Sequence, residues 1–172
     1  ADSDGTAVSW IQSVVHGFGS SWVIPETGII LNNRLTGFSL DPQSPNIVAP
    51  GKRPAHTLNA FTAVRPDGSL YLVGGTPGAN IQVQTNLQLI VNVIDLKLNV
   101  QEAIEAPRWQ HLNAPGQSSA EESGKGVLEI EDRVSTAVID ELRAKGHEVK
   151  LLPPWGHGSS VQMLEVFPQG TY

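Results

Sequence analysis

The stretch GGTPGAN, Gly74 to Asn80, lies between a short apolar strand candidate, SLYLV, and a long amphipathic segment, Ile81 to Ile94. A glycine loop that hands a strand over to a helix start aims backbone N–H groups at something negative. Two readings of that negative partner fail on residue type. A phosphate loop needs a lysine after its last glycine, and none follows Gly78; a dinucleotide loop needs GxGxxG within a βαβ unit, and the spacing here is wrong. A third reading is an oxyanion hole, where two pre-aimed N–H donors stabilise the charge that develops on a carbonyl oxygen during acyl transfer. The remaining reading is a turn that only joins strand to helix. The loop by itself does not decide between these two.

Composition narrows the chemistry. The chain has 172 residues, 40% hydrophobic and 16% charged, enough for a single domain, 1–172, with a core of its own. Net charge is −6 and no basic run exceeds Lys52–Arg53, which argues against a nucleic-acid backbone as partner. Without cysteine, a disulfide framework, a thiolate zinc site and a cysteine nucleophile are all excluded. No apolar run is long enough to cross a membrane as a helix, and nothing in the composition fixes a compartment. His16, His111 and His147 lack metal-ligand spacing, and no GxSxG elbow supports a serine triad. His157, in the turn WGHGSS, reads as structural, and Glu121, Glu122, Glu129 and Glu131 read as a solvated acidic face.

The elements that must position the loop follow from periodicity. Thr6–Val14 alternates as a strand, 16–28 reads as loop, and Gly28–Asn33 reads as a short buried strand. Residues 34–58 contain Pro42, Pro45, Pro50 and Pro54 and little periodicity, the mark of a long irregular segment. NAFTAV, RPDGS and LYLVGG make the clearest hairpin, with Pro-Asp-Gly as turn. The helix after the loop carries Val83, Leu87, Ile90, Val91 and Ile94 at helical spacing, which predicts that they form its buried face. A second helix, 99–106, stops at Pro107. Strand 126–131 is followed by a helix capped by Asp132, buried through Val134, Val138 and Leu142, and ended by Gly146. Strands at 148–152 and 160–167 close the chain, and 113–126 reads as a surface loop. The order predicts an α+β fold with largely antiparallel sheets. The opening ADSDG reads as a chain already under way, so both ends are expected to continue.

Taken in order, GIILNNRLTGFSLDP, PGKRPAHTLNAFTAVRPDGSLYLVGGTPGAN and LQLIVNVIDLKLNVQEAIEAPRWQH resemble the small, catalytic subunit of γ-glutamyltranspeptidases and related acylases. The resemblance implies an N-terminal-nucleophile hydrolase with a four-layer αββα sandwich shared between a large and a small subunit. It implies a precursor that cuts itself and frees a Thr, whose hydroxyl attacks an amide while its own α-amino group acts as base. That Thr is expected a few residues before Ala1. The partner is the large subunit from the same precursor, and no metal or organic cofactor is required.

Residue by residue, Ser13 falls where the family has a hydroxyl that hydrogen-bonds the nucleophile, against the alternative of a strand residue facing solvent. Gly78 and Ala79 fall on the paired glycines of the oxyanion hole, and a backbone N–H needs no glycine unless its φ is positive. Asn33 and Arg34 belong to the substrate stretch, in which Gly37 takes the place of an acidic residue that binds a glutamyl α-amino group. His56 and Thr57 replace a Ser-Ser pair for the α-carboxylate, and Val15 replaces an asparagine. A cation in place of an anion favours carboxylate over ammonium. The substrate expected from the resemblance is therefore a small amide with a glutaryl or γ-glutamyl acyl group, in the manner of the acylase-like branch. A homologue that has lost its nucleophile and serves as a binding or structural module is the alternative.

Overall fold

The computed structural model describes residues 1–2, 4–112 and 126–167, and the chain forms two compact units. One unit contains residues 1–10 and the chain from Asn59 onward; the other is Ile11–Leu58.

In the larger unit, β3 (Phe61–Val64) and β4 (Leu70–Gly75) form the expected antiparallel hairpin. Its turn closes through Gly68 N–H donating to Arg65 C=O at 2.9 Å, with Gly68 at φ +87°. β8 (Gln162–Glu165) pairs with the other side of β4, so β4 is central. Gly74 and Gly75 thus belong to the strand and not to the loop. A Cβ on Gly74 would lie 2.8 Å from the Phe61 ring, so glycine lets that ring lie across the strand. α1 (Gln82–Ile94) and α2 (Val100–Glu105) follow, and Leu72, Val93 and Ala103 make the core between sheet and helices. Asn99 starts α2 with a capping box, accepting from Glu102 N–H while the Glu102 carboxylate accepts from Asn99 N–H.

A second sheet holds β5 (Trp109–Leu112), β6 (Val127–Glu131) and β7 (Glu148–Leu152). Periodicity does not predict β5, and β6 and β7 are parallel, joined by α3 (Thr136–Ala144), so one pair departs from the antiparallel plan. Ser135, not Asp132, stands at the start of α3; Ile139 is its buried residue and Val138 is exposed. Gly146 ends the helix at φ +91°, as expected.

The face of α1 is the largest correction. Val83 and Leu87 are 58% and 55% exposed, while Gln82, Thr85, Asn86, Leu89 and Val93 are buried. The amides win the inward face because they have backbone to satisfy. Gln88 accepts from Trp109 N–H at 3.1 Å and donates to Trp109 C=O at 2.9 Å; Gln84 does the same at His111, at 2.7 and 3.0 Å. Four residues of helix rise about 6 Å and two residues of strand about 6.7 Å, so glutamines four apart match alternate residues of β5. They occupy an edge that would otherwise offer open hydrogen-bonding groups. Gln82 and Asn86, again four apart, hold Asn59 N–H and C=O at 3.0 and 2.7 Å.

Residues 6–14 form no ladder among the described residues, although the alternation persists in burial: Ala7, Ser9 and Ile11 are half-buried, while Val8 and Trp10 are 70% and 78% exposed. A strand needs a partner, and residue pattern cannot supply one. In the smaller unit, β1 (Val23–Ile24) and β2 (Ile29–Ile30) form a short antiparallel pair. The region expected as loop therefore contains a strand, and the strand expected to be buried is exposed at Ile29 and Ile30. Residues 34–58 are irregular, with one 3-10 turn, Arg34–Gly37, and a single bridge between Ser39 and Ile47. The expected surface loop falls on 113–125, outside the described residues, as do Glu121 and Glu122.

Candidate functional site

The predicted site residues divide between the two units, and each group is built by its own local chemistry. In the larger unit β4 ends at Gly75, and Thr76 turns inward, buried, its hydroxyl donating to Pro77 C=O at 2.8 Å. Gly78 follows at φ +133°, where a Cβ would strike Ile81, so glycine is required twice over. A 3-10 turn, Ala79–Ile81, leads into α1, closed by Ile81 N–H donating to Gly78 C=O at 3.0 Å. The first N–H groups of a helix have no internal acceptor. The Gly78 and Ala79 N–H groups accordingly have no acceptor among the described residues, and neither takes part in a strand ladder. Ala79 sits at φ +48°, so the condition under which a glycine would be preferred is met here, and the alanine carries strain.

In the smaller unit, Ser13 is exposed, and its Oγ accepts Val15 N–H at 2.9 Å, bending the chain into Val15 at φ +82°. Its hydroxyl donates to no acceptor among the described residues. Asn33 grips the same bend. Its N–H donates to Val14 C=O at 3.2 Å, its Oδ1 accepts His16 N–H at 3.1 Å, and its Nδ2 lies 2.7 Å from His16 Nδ1. The backbone donor fixes the orientation of the amide, so Nδ2 donates and His16 Nδ1 accepts. Asn33, expected as a substrate ligand, holds residues 14–16 in place through these bonds.

Arg34 opens the 3-10 turn with its N–H donating to Asn32 Oδ1 at 2.9 Å. Its side chain is half-buried, and its guanidinium has no hydrogen bond or ion pair among the described residues. His56 is exposed and Thr57 half-buried. The turn and this segment are brought together by Asn46, which bonds both the Gly37 carbonyl and the Ala55 N–H. Reading by residue type misses Asn46, because an asparagine in a proline-rich loop gives no sign of which backbone groups it will reach.

The second concentration of charge lies in the larger unit and corrects an expectation. Glu129 and Glu131 are not a solvated face: Glu131 is fully buried and Glu129 is 7% exposed. Glu131 accepts from Arg133 at 2.5 Å, from Arg108 N–H at 3.2 Å and from His157 N–H at 3.2 Å. Burial pushes its carboxyl up, but these hydrogen bonds and the Arg133 charge outweigh burial and hold it below the usual carboxylate range. Arg133 also donates to Glu105 C=O at 2.6 Å and lies 3.6 Å over the Trp155 ring. Glu129 is held low first by the hydrogen bond from Lys150, at 2.6 Å, with help from Gln110. His157 is buried, its Nδ1 2.8 Å from Ser159 Oγ; burial and the Arg108 charge lower its pKa. Glu131 and Glu129 are thus each paired with a cation of the chain, at Arg133 and Lys150.

The whole chain, residues 1–172, matches the family model described as Gamma-glutamyltranspeptidase. It is 42% identical over 164 residues to the oxamate amidohydrolase proenzyme of Klebsiella pneumoniae, covering 93% of this chain and 30% of the relative. It is 36% identical over 179 residues to the glutathione hydrolase proenzyme of Escherichia coli, covering 98% of this chain and 28% of that protein. The chain therefore spans less than a third of the length of these curated relatives. Among solved structures, it superposes on a mutant γ-glutamyltranspeptidase of Helicobacter pylori with a TM-score of 0.79 at 29% identity, covering 98% of this chain and 89% of that one.

Proposed function

The chain belongs to the gamma-glutamyltranspeptidase family and has its mixed α+β, N-terminal-nucleophile hydrolase fold, and on that premise we propose that the protein hydrolyses or transfers small acyl amides whose acyl group ends in a carboxylate, of glutaryl or γ-glutamyl type. The nucleophile in this reading is a threonine upstream of Ala1. Its Oγ forms an ester with the acyl carbon, the amine departs with the proton relayed by the α-amino group, and water or an acceptor amine then releases the acyl group. Gly78 and Ala79 N–H groups receive the oxyanion, and Ser13 donates toward the nucleophile. Arg34, with His56 and Thr57, receives the distal carboxylate.

The observation that carries the substrate reading is Arg34, a half-buried residue whose guanidinium meets no anion among the described residues. A carboxylate matches an open guanidinium in two parallel hydrogen bonds. The name of the Klebsiella relative points the same way, since oxamate is a small amide carrying a carboxylate. The proenzyme relatives support a large subunit from the same precursor as partner, and exposed Val8 and Trp10 are apolar surface it would cover.

The test is hydrolysis by the full-length protein of a glutaryl anilide against a γ-glutamyl anilide, which differ by an α-amino group. Preference for the glutaryl compound is expected. A strong γ-glutamyl preference removes the reading of Arg34 and Gly37, and the absence of any activity together with an uncleaved precursor on a gel removes the enzyme.

A further inference from the structure

Two short pieces of the smaller unit carry the groups assigned to the substrate carboxylate: the 3-10 turn Arg34–Gly37, and residues 55–57 with His56 and Thr57. No helix or sheet spans the gap between them, so regular structure does not set their spacing. One side chain does. Asn46 Nδ2 donates to the Gly37 carbonyl, and Asn46 Oδ1 accepts the Ala55 N–H at 3.1 Å. A carbonyl only accepts and an N–H only donates, so the amide has one permitted orientation and both its ends are used.

Asn46 is itself fixed on both sides. Its carbonyl accepts Ser39 N–H at 3.0 Å, its N–H donates to Ser44 Oγ at 3.1 Å, and the adjoining Ile47 forms the parallel bridge with Ser39. The contact it closes is tight. A Cβ on Gly37 would meet the Ala55 carbonyl oxygen at 3.0 Å, so a side chain there would crowd the 55–57 segment and press it back. Gly37 therefore does more than lack an acidic group: its bare backbone lets the Arg34 turn seat on the segment that carries His56.

We propose that Asn46 is a positioning residue for specificity, which sets the spacing between Arg34 and His56–Thr57 and so tunes selection of an acyl group ending in a carboxylate. The inference rests on the carboxylate reading of Arg34 given above. Asn46 touches no substrate in this proposal; it acts through the two backbone groups it ties together.

The experiment uses the full-length protein and two anilides of equal chain length, glutaryl and pentanoyl, which differ only in the terminal carboxylate. The readout is the ratio of their kcat/KM values. Asn46→Ala lowers that ratio by about tenfold, chiefly through KM for the glutaryl compound, with pentanoyl turnover unchanged. Asn46→Asp, which keeps the acceptor for Ala55 but sets a second acceptor against the Gly37 carbonyl, lowers it likewise. Gly37→Ala, which wedges the contact from the other side, serves where an Asn46 variant does not fold. A ratio that stays at the wild-type value, or equal loss on both substrates, overturns the proposal. Arg34→Ala separates the two layers of inference. If wild type shows no carboxylate preference, or Arg34→Ala leaves it intact, the reading of Arg34 fails; if Arg34→Ala abolishes it and the Asn46 variants do not lower it, only the role of Asn46 fails.

Discussion

Glu131 and Arg34 both carry a charge, and the chain treats the two in opposite ways. Glu131 is fully buried and receives a guanidinium and two backbone N–H groups from three separate stretches of chain. Arg34 is half-buried and receives nothing among the described residues. The first arrangement binds β6, the end of α2 and the turn at His157 into one body. The second is, on the proposed reading, completed by an anion of the substrate. Burial and charge alone do not mark a functional residue; a charge whose partners all come from its own chain is architecture, and one without such partners is available to a ligand.

The sharpest way to break this contrast is to remove each charge in turn. Glu131→Ala leaves the Arg133 guanidinium uncompensated and strips the acceptor from two buried N–H groups. Breaking one side of such a pair costs about 3–5 kcal/mol, a large part of the stability of a small domain. Chemical denaturation is expected to show that loss, with activity lost only in proportion to folded protein. Arg34→Ala is expected to do the reverse. Stability stays within about 0.5 kcal/mol, as at surface positions with no partner to lose. Discrimination for a carboxylate-bearing acyl group falls by about 1.5–3 kcal/mol, the range for hydrogen bonds to charged groups. A large stability loss on removing Arg34 would show that it has a structural counter-charge after all.

Acid sharpens the same comparison. The folded state holds both His157 and Glu131 below their ordinary pKa values, so the unfolded chain binds more protons in each window and stability rises with pH there. The His157 contribution is intact above 6.5, its ordinary value, and is lost as pH falls from there through the lowered folded value. The Glu131 contribution is lost below 4.5 in the same manner. Thermal melts across this range are expected to show a declining acid limb, and His157→Gln is expected to flatten its upper part. An unchanged limb in that variant would place the titration elsewhere.

How much of this is legible in the sequence depends on whether a residue's partners are local. The β3–β4 hairpin is readable because Pro66, Asp67 and Gly68 fix their own turn, and α2 because Pro107 ends it. The loop leading into α1 is readable as a run of glycines, though Gly74 and Gly75 prove to be strand. Long-range satisfaction is not readable. Apolar spacing places Val83 and Leu87 inward, but Gln82, Gln84, Asn86 and Gln88 take that side because Asn59, Trp109 and His111 offer them backbone groups to bond. Glu131 looks solvated because its partners lie far off in sequence, at Arg108 and His157. Among the candidate residues, Arg34 can be named from sequence but its lack of an ion pair cannot, and Asn33 proves to be held by His16.

The smallest expected effect concerns main-chain donors, where the contrast between satisfied and open groups recurs without any charge. At Ala79 the backbone stands at φ +48°, a region where an L side chain crowds its own carbonyl at a cost of about 1–2 kcal/mol. Ala79→Gly removes that crowding and keeps the N–H. Glycine gives back about 0.5–1 kcal/mol through its freer unfolded chain. A net gain of up to about 1.5 kcal/mol in stability is therefore expected from denaturant titration. The N–H groups of residues 78 and 79 remain aimed by the 3-10 turn, closed by Ile81 N–H on Gly78 C=O and not by the alanine methyl. Turnover is accordingly expected to stay at the wild-type value. A fall in kcat with the gain in stability would mean that the strain itself aims the open donors, and that this loop, unlike the Glu131 cluster, is held out of its relaxed form for the sake of the ligand it receives.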